Sequence, residues 1–448
     1  MKSLSRLSFL LIAALMLALP VTAQDNVTIS FVHIFGGEND TRGALVQEIA
    51  AAFMAENPGV TIEVSSLSAD YTELFNSALL AAEQGNAPTI VQVEEGLTQL
   101  AADSGYFTPI AQIASEEQIA SFDDMLATVR AYYTLGDELY SVPWNASNPV
   151  LYYNKGMFEA AGLDPNDAPA TFAEVTAACE AIMAMAAELE ITGCINFPLA
   201  AWFPEQWVAM QNGLLADNDN GRSARATEVL YTDEPMLSVV TWIGELAASG
   251  AFVYSGTPND YNGEATAFLG KGTAMTINST AGLALISRFA GLQGIDLGVA
   301  ALPAPSDEAT NGVTIGGASL WVSAGATPAE TQAAVDFIFF LTNTENDMKW
   351  HKGSGYFPTR ESSIAALTEA GWFTENPNFA IAIEQLQASA GNVANAGAVY
   401  GPSTEVRQFL VEAIQSVVDG GADPLEALTV AKDRADAALA SYNEVVGG

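Results

Sequence analysis

Asn57-Pro58-Gly59-Val60-Thr61-Ile62-Glu63-Val64 ends one element and starts the next. Proline cannot continue a helix, and glycine accepts the left-handed backbone that often closes one. The triplet therefore stops whatever precedes it. Behind it, Val60, Ile62 and Val64 are apolar at every second position, which predicts a strand over 60–64. Upstream, Leu45, Ile49, Phe53 and Met54 fall on one face of a helix predicted over 42–56, and 27–32 alternates like a strand. Downstream, a helix over 71–84 is stopped by Gly85-Asn86, and 89–93 is a third strand. Strand, helix, strand, helix, strand implies right-handed crossovers and a parallel sheet.

The same alternation resumes after about residue 140, with a strand over 150–153. Thr171-Phe172-Ala173-Glu174 has the form of a capping box, and the helix behind it is expected to reach about residue 188. Helical patterns follow over 328–341, 379–389, 404–418 and 424–442, expected to cover a second lobe. A chain of 448 residues is too long for one typical core, so two α/β lobes fit better than one sheet. With no tandem repeat or flexible linker, brief crossings must join them, giving a hinge and a cleft.

Lys2 and Arg6, an apolar run over 7–19 and small residues up to Ala23 read as a secretory signal peptide over 1–23. The apolar run is shorter than the roughly 20 residues that a spanning helix needs. The formal charge is −38, which argues against nucleic acid or an anionic membrane surface as partner and fits a highly soluble exported protein. Cys179 and Cys194 either pair in an oxidising compartment or remain two buried thiols. With only His33 and His351, and no Cys-x-x-Cys, nothing points to a metal centre, and no cofactor motif or nucleophile elbow occurs.

Pro149-Val150-Leu151-Tyr152-Tyr153-Asn154-Lys155, Gly272-Thr273-Ala274-Met275-Thr276, Ile315-Gly316-Gly317-Ala318-Ser319-Leu320-Trp321 and Gly355-Tyr356-Phe357-Pro358 follow Asn57-Pro58-Gly59 in this order. Together they resemble family 1 extracellular solute-binding proteins of ABC importers. The resemblance spans nearly the whole chain and is nearest to the branch that takes glycerol 3-phosphate and glycerophosphodiesters. It implies a two-lobed periplasmic binding protein fold of the maltose-binding-protein type, with parallel-type sheets flanked by helices and three hinge crossings. The expected division is 24–144 plus 277–317 for lobe 1, and 145–276 plus 318–448 for lobe 2. Bending is expected near 144–148, 276–278 and 316–319.

Carried over residue by residue, the resemblance implies ligand contacts from Tyr71, Glu95, Ser147, Ser279, Gly317, Tyr356 and Arg407, with Trp202 on the cleft wall. Arg407 would clamp a phosphate as a planar fork, and the helix start after Ser279 would offer it free N–H groups. Ser147 and Tyr356 would donate hydroxyl bonds, Gly317 its backbone N–H, and Glu95 would accept from glycerol hydroxyls. Each also has a structural reading: Ser279 as an N-cap, Arg407 as an ion pair, Tyr71 as a core anchor, Gly316-Gly317 as a tight turn, Trp202 as packing. The chain departs from the branch where its first strand ends Val32-His33 rather than Trp-His, and where Leu199 replaces a second tryptophan.

The expected function is that of a non-enzymatic, monomeric binding component that passes its ligand to membrane permease subunits from the periplasm or the outer face of the cell membrane. A binder of neutral oligosaccharides would use Trp202, Trp350 and Trp372 with Asp70 or Glu95, and would not require Arg407. A secreted glycosidase would need a spaced carboxylate pair, which 53 acids offer by chance. An adhesin would show no melting shift with small molecules.

Overall fold

A computed structural model describes residues 26–36 and 40–447, so the expected signal peptide lies outside the described residues. Twelve strands follow in chain order: β1 Val27–His33, β2 Val60–Ser66, β3 Ile90–Glu94, β4 Phe107–Thr108, β5 Thr134–Leu135, β6 Glu138–Leu139, β7 Val142–Ser147, β8 Pro149–Asn154, β9 Ile195–Asn196, β10 Met275–Ser279, β11 Leu297–Ala301 and β12 Gly316–Ser323.

The first sheet runs β2-β1-β3-β12-β4, with β7 also paired to β12. β1 is parallel to β2 from Val27↔Val60, and to β3 at Phe31↔Ile90. Helix Thr41–Glu56 starts at Asp40, whose carboxylate accepts the Arg42 N–H, and stops at Asn57, whose N–H returns to the Phe53 carbonyl. Helix Tyr71–Glu83 is capped by Asp70, which accepts from the Glu73 N–H. Both faces of this sheet are covered. Phe31 packs with Phe53, Phe337 and Trp144 on one side. Val32, Leu74, Phe75 and Trp321 form the other side. That is why β3 is buried at nearly every position rather than at alternate ones.

The second sheet runs β11-β8-β10-β9. Here the expected parallel order is corrected: β8 is antiparallel to both β10 and β11, and only β10 with β9 is parallel. β8 follows β7 with only Asn148 between them, so no crossover helix turns the chain before it enters the new sheet. Thr171 caps helix Phe172–Met183, but the Glu174 carboxylate closes on the Ala170 N–H, and the helix ends earlier than expected. The cysteines are bridged, joining that helix to the residue before β9.

The strand order also corrects the expected division of the chain. β10 and β11 lie in the second sheet, so most of 277–317 belongs there, while β12 returns to the first. Residues 276–278 sit inside β10 and form no crossing. The chain leaves the first sheet at Asn148 and re-enters it at Gly316. It then stays long enough for helix Pro328–Leu341 to pack against β1, contrary to the expectation that all late helices cover the second lobe. Met125 still bridges to Arg360 in the first lobe, whereas Phe379 belongs to the core around Val150 and Tyr152 in the second. Helices Ser403–Gly420 and Pro424–Val446 pair as a hairpin against helix Glu234–Ala248. No described helix is long and apolar enough to cross a membrane.

Candidate functional site

The residues singled out in the sequence stand at the ends of elements that meet between the two sheets. Tyr71 opens helix Tyr71–Glu83, Glu95 follows β3, Ser147 ends β7, Ser279 ends β10, and Gly317 is second in β12. Trp202 opens helix Trp202–Met210, Tyr356 follows helix Thr344–Ser354, and Arg407 lies in the first turns of helix Ser403–Gly420.

Three of them touch directly across the lobes. Nη2 of Arg407 donates to Oε1 of Glu95 at 3.1 Å, and the other Glu95 oxygen accepts the Gly317 N–H at 2.9 Å. Gly317 has φ 113, and a Cβ there would overlap the Asn145 carbonyl oxygen, so the close approach requires glycine. The Arg407 fork is not free for a phosphate, which corrects the expectation. Nε and Nη2 donate to the two oxygens of Glu205 at 2.8 and 2.7 Å. Glu94 stands 3.8 Å from Nη1. A Cβ on Gly96 would overlap the guanidinium, so the backbone there forms the plate against which Arg407 lies.

Three carboxyl groups thus surround one largely buried cation. Burial first, then the charge on Glu94, pushes Glu95 up to about 8, although Arg407 opposes the shift. Burial also raises Glu94. Burial works against the charge on Arg407, but Glu205 and Glu95 more than offset it, so the guanidinium stays protonated. The cluster offers more acceptors than donors, which suits ligand hydroxyls.

The other positions divide by role. Ser279 is an N-cap, accepting from the Ala281 N–H at 3.1 Å, and its own proton stays available. The chain beyond it starts as a 3-10 turn, Thr280–Gly282, before helix Leu283–Leu292, so part of the expected N–H array is used internally. Ser147 lies opposite Gly316 in the β7–β12 register. Trp202 serves packing. Its ring backs Gly316, and its indole N–H donates to the Ile315 carbonyl at 3.4 Å. Tyr356 stacks on Trp350, and its carbonyl accepts from Nδ1 of His351 at 2.8 Å. Trp372 donates to Nε2 of the same ring, which fixes the proton on Nδ1. Burial lowers His351 to about 4, so it is neutral at physiological pH. The Tyr71 hydroxyl accepts from Nδ2 of Asn145 at 2.8 Å. Among the described residues no cluster suited to hold a metal ion occurs.

Contacts outside this cluster also join the lobes. Asp103 follows β3 in the first lobe and receives both Nη atoms of Arg225 at 2.8 and 2.9 Å, and the Tyr442 hydroxyl at 2.8 Å. Arg222 donates to the carbonyls of Ala131 at 3.0 Å and Thr134 at 3.2 Å on one side, and to those of Gly397 and Ala396 on the other.

The sequence reading missed Glu205, Asn145 and Gln92 as site components. Glu205 carried a signal, as an acid inside the apolar run Trp202–Met210 whose every residue is buried. Asn145 lay next to a chosen residue, and Gln92 is a polar interruption in a buried strand.

A family model described as bacterial extracellular solute-binding protein matches residues 48–381. The chain belongs to that family. This solute-binding protein is 30% identical to the sn-glycerol-3-phosphate-binding periplasmic protein of Escherichia coli strain K12, with 96% of this chain and 97% of that one covered. Its fold is similar to that of Mycobacterium tuberculosis UgpB in complex with glycerophosphocholine (TM-score 0.77, 20% identity, 93% of this chain and 99% of the other). It is similar also to the GacH receptor of Streptomyces glaucescens, solved unliganded and with acarbose (TM-score 0.75, 20% identity, 94% and 99%). The solute-binding protein is therefore an extracytoplasmic component of an ABC importer, handing a small molecule to permease subunits, and not an enzyme.

Proposed function

We propose that the two lobes close on glycerol 3-phosphate or a glycerophosphodiester. The observation that carries this reading is the Glu95–Arg407–Gly317 junction, in which a carboxylate from the first lobe, a guanidinium from the second and the backbone of the returning strand share one set of hydrogen bonds. Contacts made only when both lobes meet bias the population toward the closed form, and a ligand that adds to them biases it further. The hydroxyls of Ser147, Ser279, Tyr71 and Tyr356 supply donors for a phosphate, and the Glu95–Glu205 end supplies acceptors for glycerol. The 30% identity to a glycerol 3-phosphate-binding protein over nearly the whole chain supports the same ligand class.

A neutral oligosaccharide is the second reading, favoured by the engagement of Arg407 with carboxylates. Titration calorimetry with glycerol 3-phosphate, glycerophosphocholine and maltose separates the two. The proposal expects heat from a phosphate ligand and its loss in Arg407→Ala. Binding of maltose alone overturns it.

A further inference from the structure

Gln92 on β3 and Asn145 on β7 are both fully buried. Oε1 of Gln92 accepts the backbone N–H of Ile34 at 2.8 Å. A backbone N–H only donates, so this contact fixes which end of the Gln92 amide is oxygen. Its Nε2 then donates to Oδ1 of Asn145, also at 2.8 Å. That in turn fixes the Asn145 amide, whose Nδ2 donates to the Tyr71 hydroxyl at 2.8 Å. Tyr71 is thereby an acceptor toward the protein interior, and its single proton is left to point elsewhere. Burial and the neighbouring Tyr356 hydroxyl both act to keep that proton on.

The same end of the cleft carries a cation. The Arg42 guanidinium lies 4.8 Å from the Phe35 ring centroid, and Phe35 packs edge-on to Tyr356 with centroids 6.1 Å apart. Asp40 receives Nε and Nη2 of Arg42 at 2.8 and 2.9 Å. The hydroxyls of Tyr71 and Tyr356 thus mark one end of the cleft, with the Arg42–Asp40 pair behind Phe35, whereas acceptors gather around Glu95 and Glu205.

We propose that Ile34, Gln92 and Asn145 form a positioning relay that makes Tyr71 an obligate donor toward the ligand, selecting an acceptor-only group, a phosphate oxygen, at this end of the cleft. The ligand hydroxyls are left to the Glu95–Glu205 end. The inference rests on the glycerol phosphate reading above and adds the residues that impose the orientation of the ligand.

The test reverses the relay from its far end. Gln92→Glu keeps the shape and still accepts the Ile34 N–H, and at a pH above the raised value that burial gives its carboxyl, where it is ionised, it cannot donate to Asn145. Asn145 must then turn its amide, presenting Oδ1 to Tyr71 and drawing the Tyr71 proton inward. Affinity for glycerol 3-phosphate is measured by calorimetry in wild type, Gln92→Glu, Tyr71→Phe and the double variant, with melting curves for each. The relay predicts that Gln92→Glu and Tyr71→Phe each weaken binding by about tenfold, the effect of one hydrogen bond to a charged group. It also predicts that Gln92→Glu costs little further affinity once Tyr71→Phe is present. A purely structural or charge effect of Gln92→Glu would be the same in both backgrounds, and that result, or no loss at all, overturns the relay. If Gln92→Glu does not fold, Asn145→Asp in the same cycle replaces it, since a carboxylate also forces Tyr71 to donate inward. Wild type that binds glycerol 3-phosphate with an additive cycle defeats only the relay. Wild type that binds no phosphate ligand defeats the relay and the ligand assignment together.

Discussion

Asp103→Ala should loosen the closed form without touching the ligand cluster. The substitution removes a two-point ion pair with Arg225 and the hydroxyl bond from Tyr442. Asp103 is 13% exposed and Arg225 39%, so the pair lies between a fully wet surface bridge and a buried one. After discounting for solvent it is worth about 1 kcal/mol. The tyrosine bond adds about 1 kcal/mol. Because both partners lie on the other lobe, the sum of about 2 kcal/mol falls on the closing equilibrium, a factor of about 30 at 1.4 kcal/mol per decade. If the unliganded protein is mostly open, apparent ligand affinity falls by that factor, because it scales with the closed fraction. If it is mostly closed, the change appears instead as a larger radius of gyration. Calorimetry and small-angle X-ray scattering on the variant read both quantities. Unchanged affinity together with unchanged scattering would refute the idea that Asp103 holds the lobes shut.

Three further outcomes are expected. Gly317→Ala places a Cβ against the Asn145 backbone at φ 113, so it should cost at least about 2 kcal/mol in a urea melt and abolish ligand binding; near wild-type behaviour in both would show that the β7–β12 junction is slack. Glu95 has a folded value near 8, above its ordinary 4.5, so the folded chain holds a proton that the unfolded chain releases. Stability from this group is complete below about pH 4.5 and is lost as the pH rises toward 8. Glu95→Gln should flatten that slope between pH 5 and 8 in a series of thermal melts, and an unaltered slope would mean that other groups set it. Reducing the Cys179–Cys194 bridge, with a sequence separation of 15, should remove about 3 kcal/mol and lower the melting temperature. An identical melt with and without dithiothreitol would argue that the bridge contributes nothing.

The first unit, from β1 to β3, is legible in the sequence almost residue by residue, because its signals are local. Asn57-Pro58-Gly59 stops a helix whatever surrounds it, and alternation over 60–64 needs no partner to be recognised. The destination of a strand is another matter. Nothing within Gly316–Ser323 says that it returns to β3 while Met275–Ser279 stays in the other sheet, because pairing depends on distant partners. The direction of β8 is set by the brevity of the Asn148 crossing, which the apolar pattern of 150–153 does not encode. Arg407 shows the same limit in the site. Its position in a matched motif marks it as important, but its engagement depends on Glu205, some two hundred residues earlier, brought to it because helices Trp202–Met210 and Ser403–Gly420 both pack on helix Glu234–Ala248. Glycine choices were more readable, since the close approach at Gly317 leaves room for no other residue.

The return of β12 sets an order of events during export. This one strand bonds to β3, β4 and β7, so the sheet of the first lobe lacks its unifying member until residue 316 has emerged. A chain delivered N-terminus first must hold β3 with an unpaired edge while the whole second sheet is being delivered, and such an edge invites pairing with other chains. Neither lobe is a contiguous stretch, and Arg407 arrives later still. The Glu95–Gly317–Arg407 junction therefore cannot form on an N-terminal fragment that stops before residue 407, and a protein truncated before β12 should be handled as an aggregation-prone edge rather than as half of a receptor.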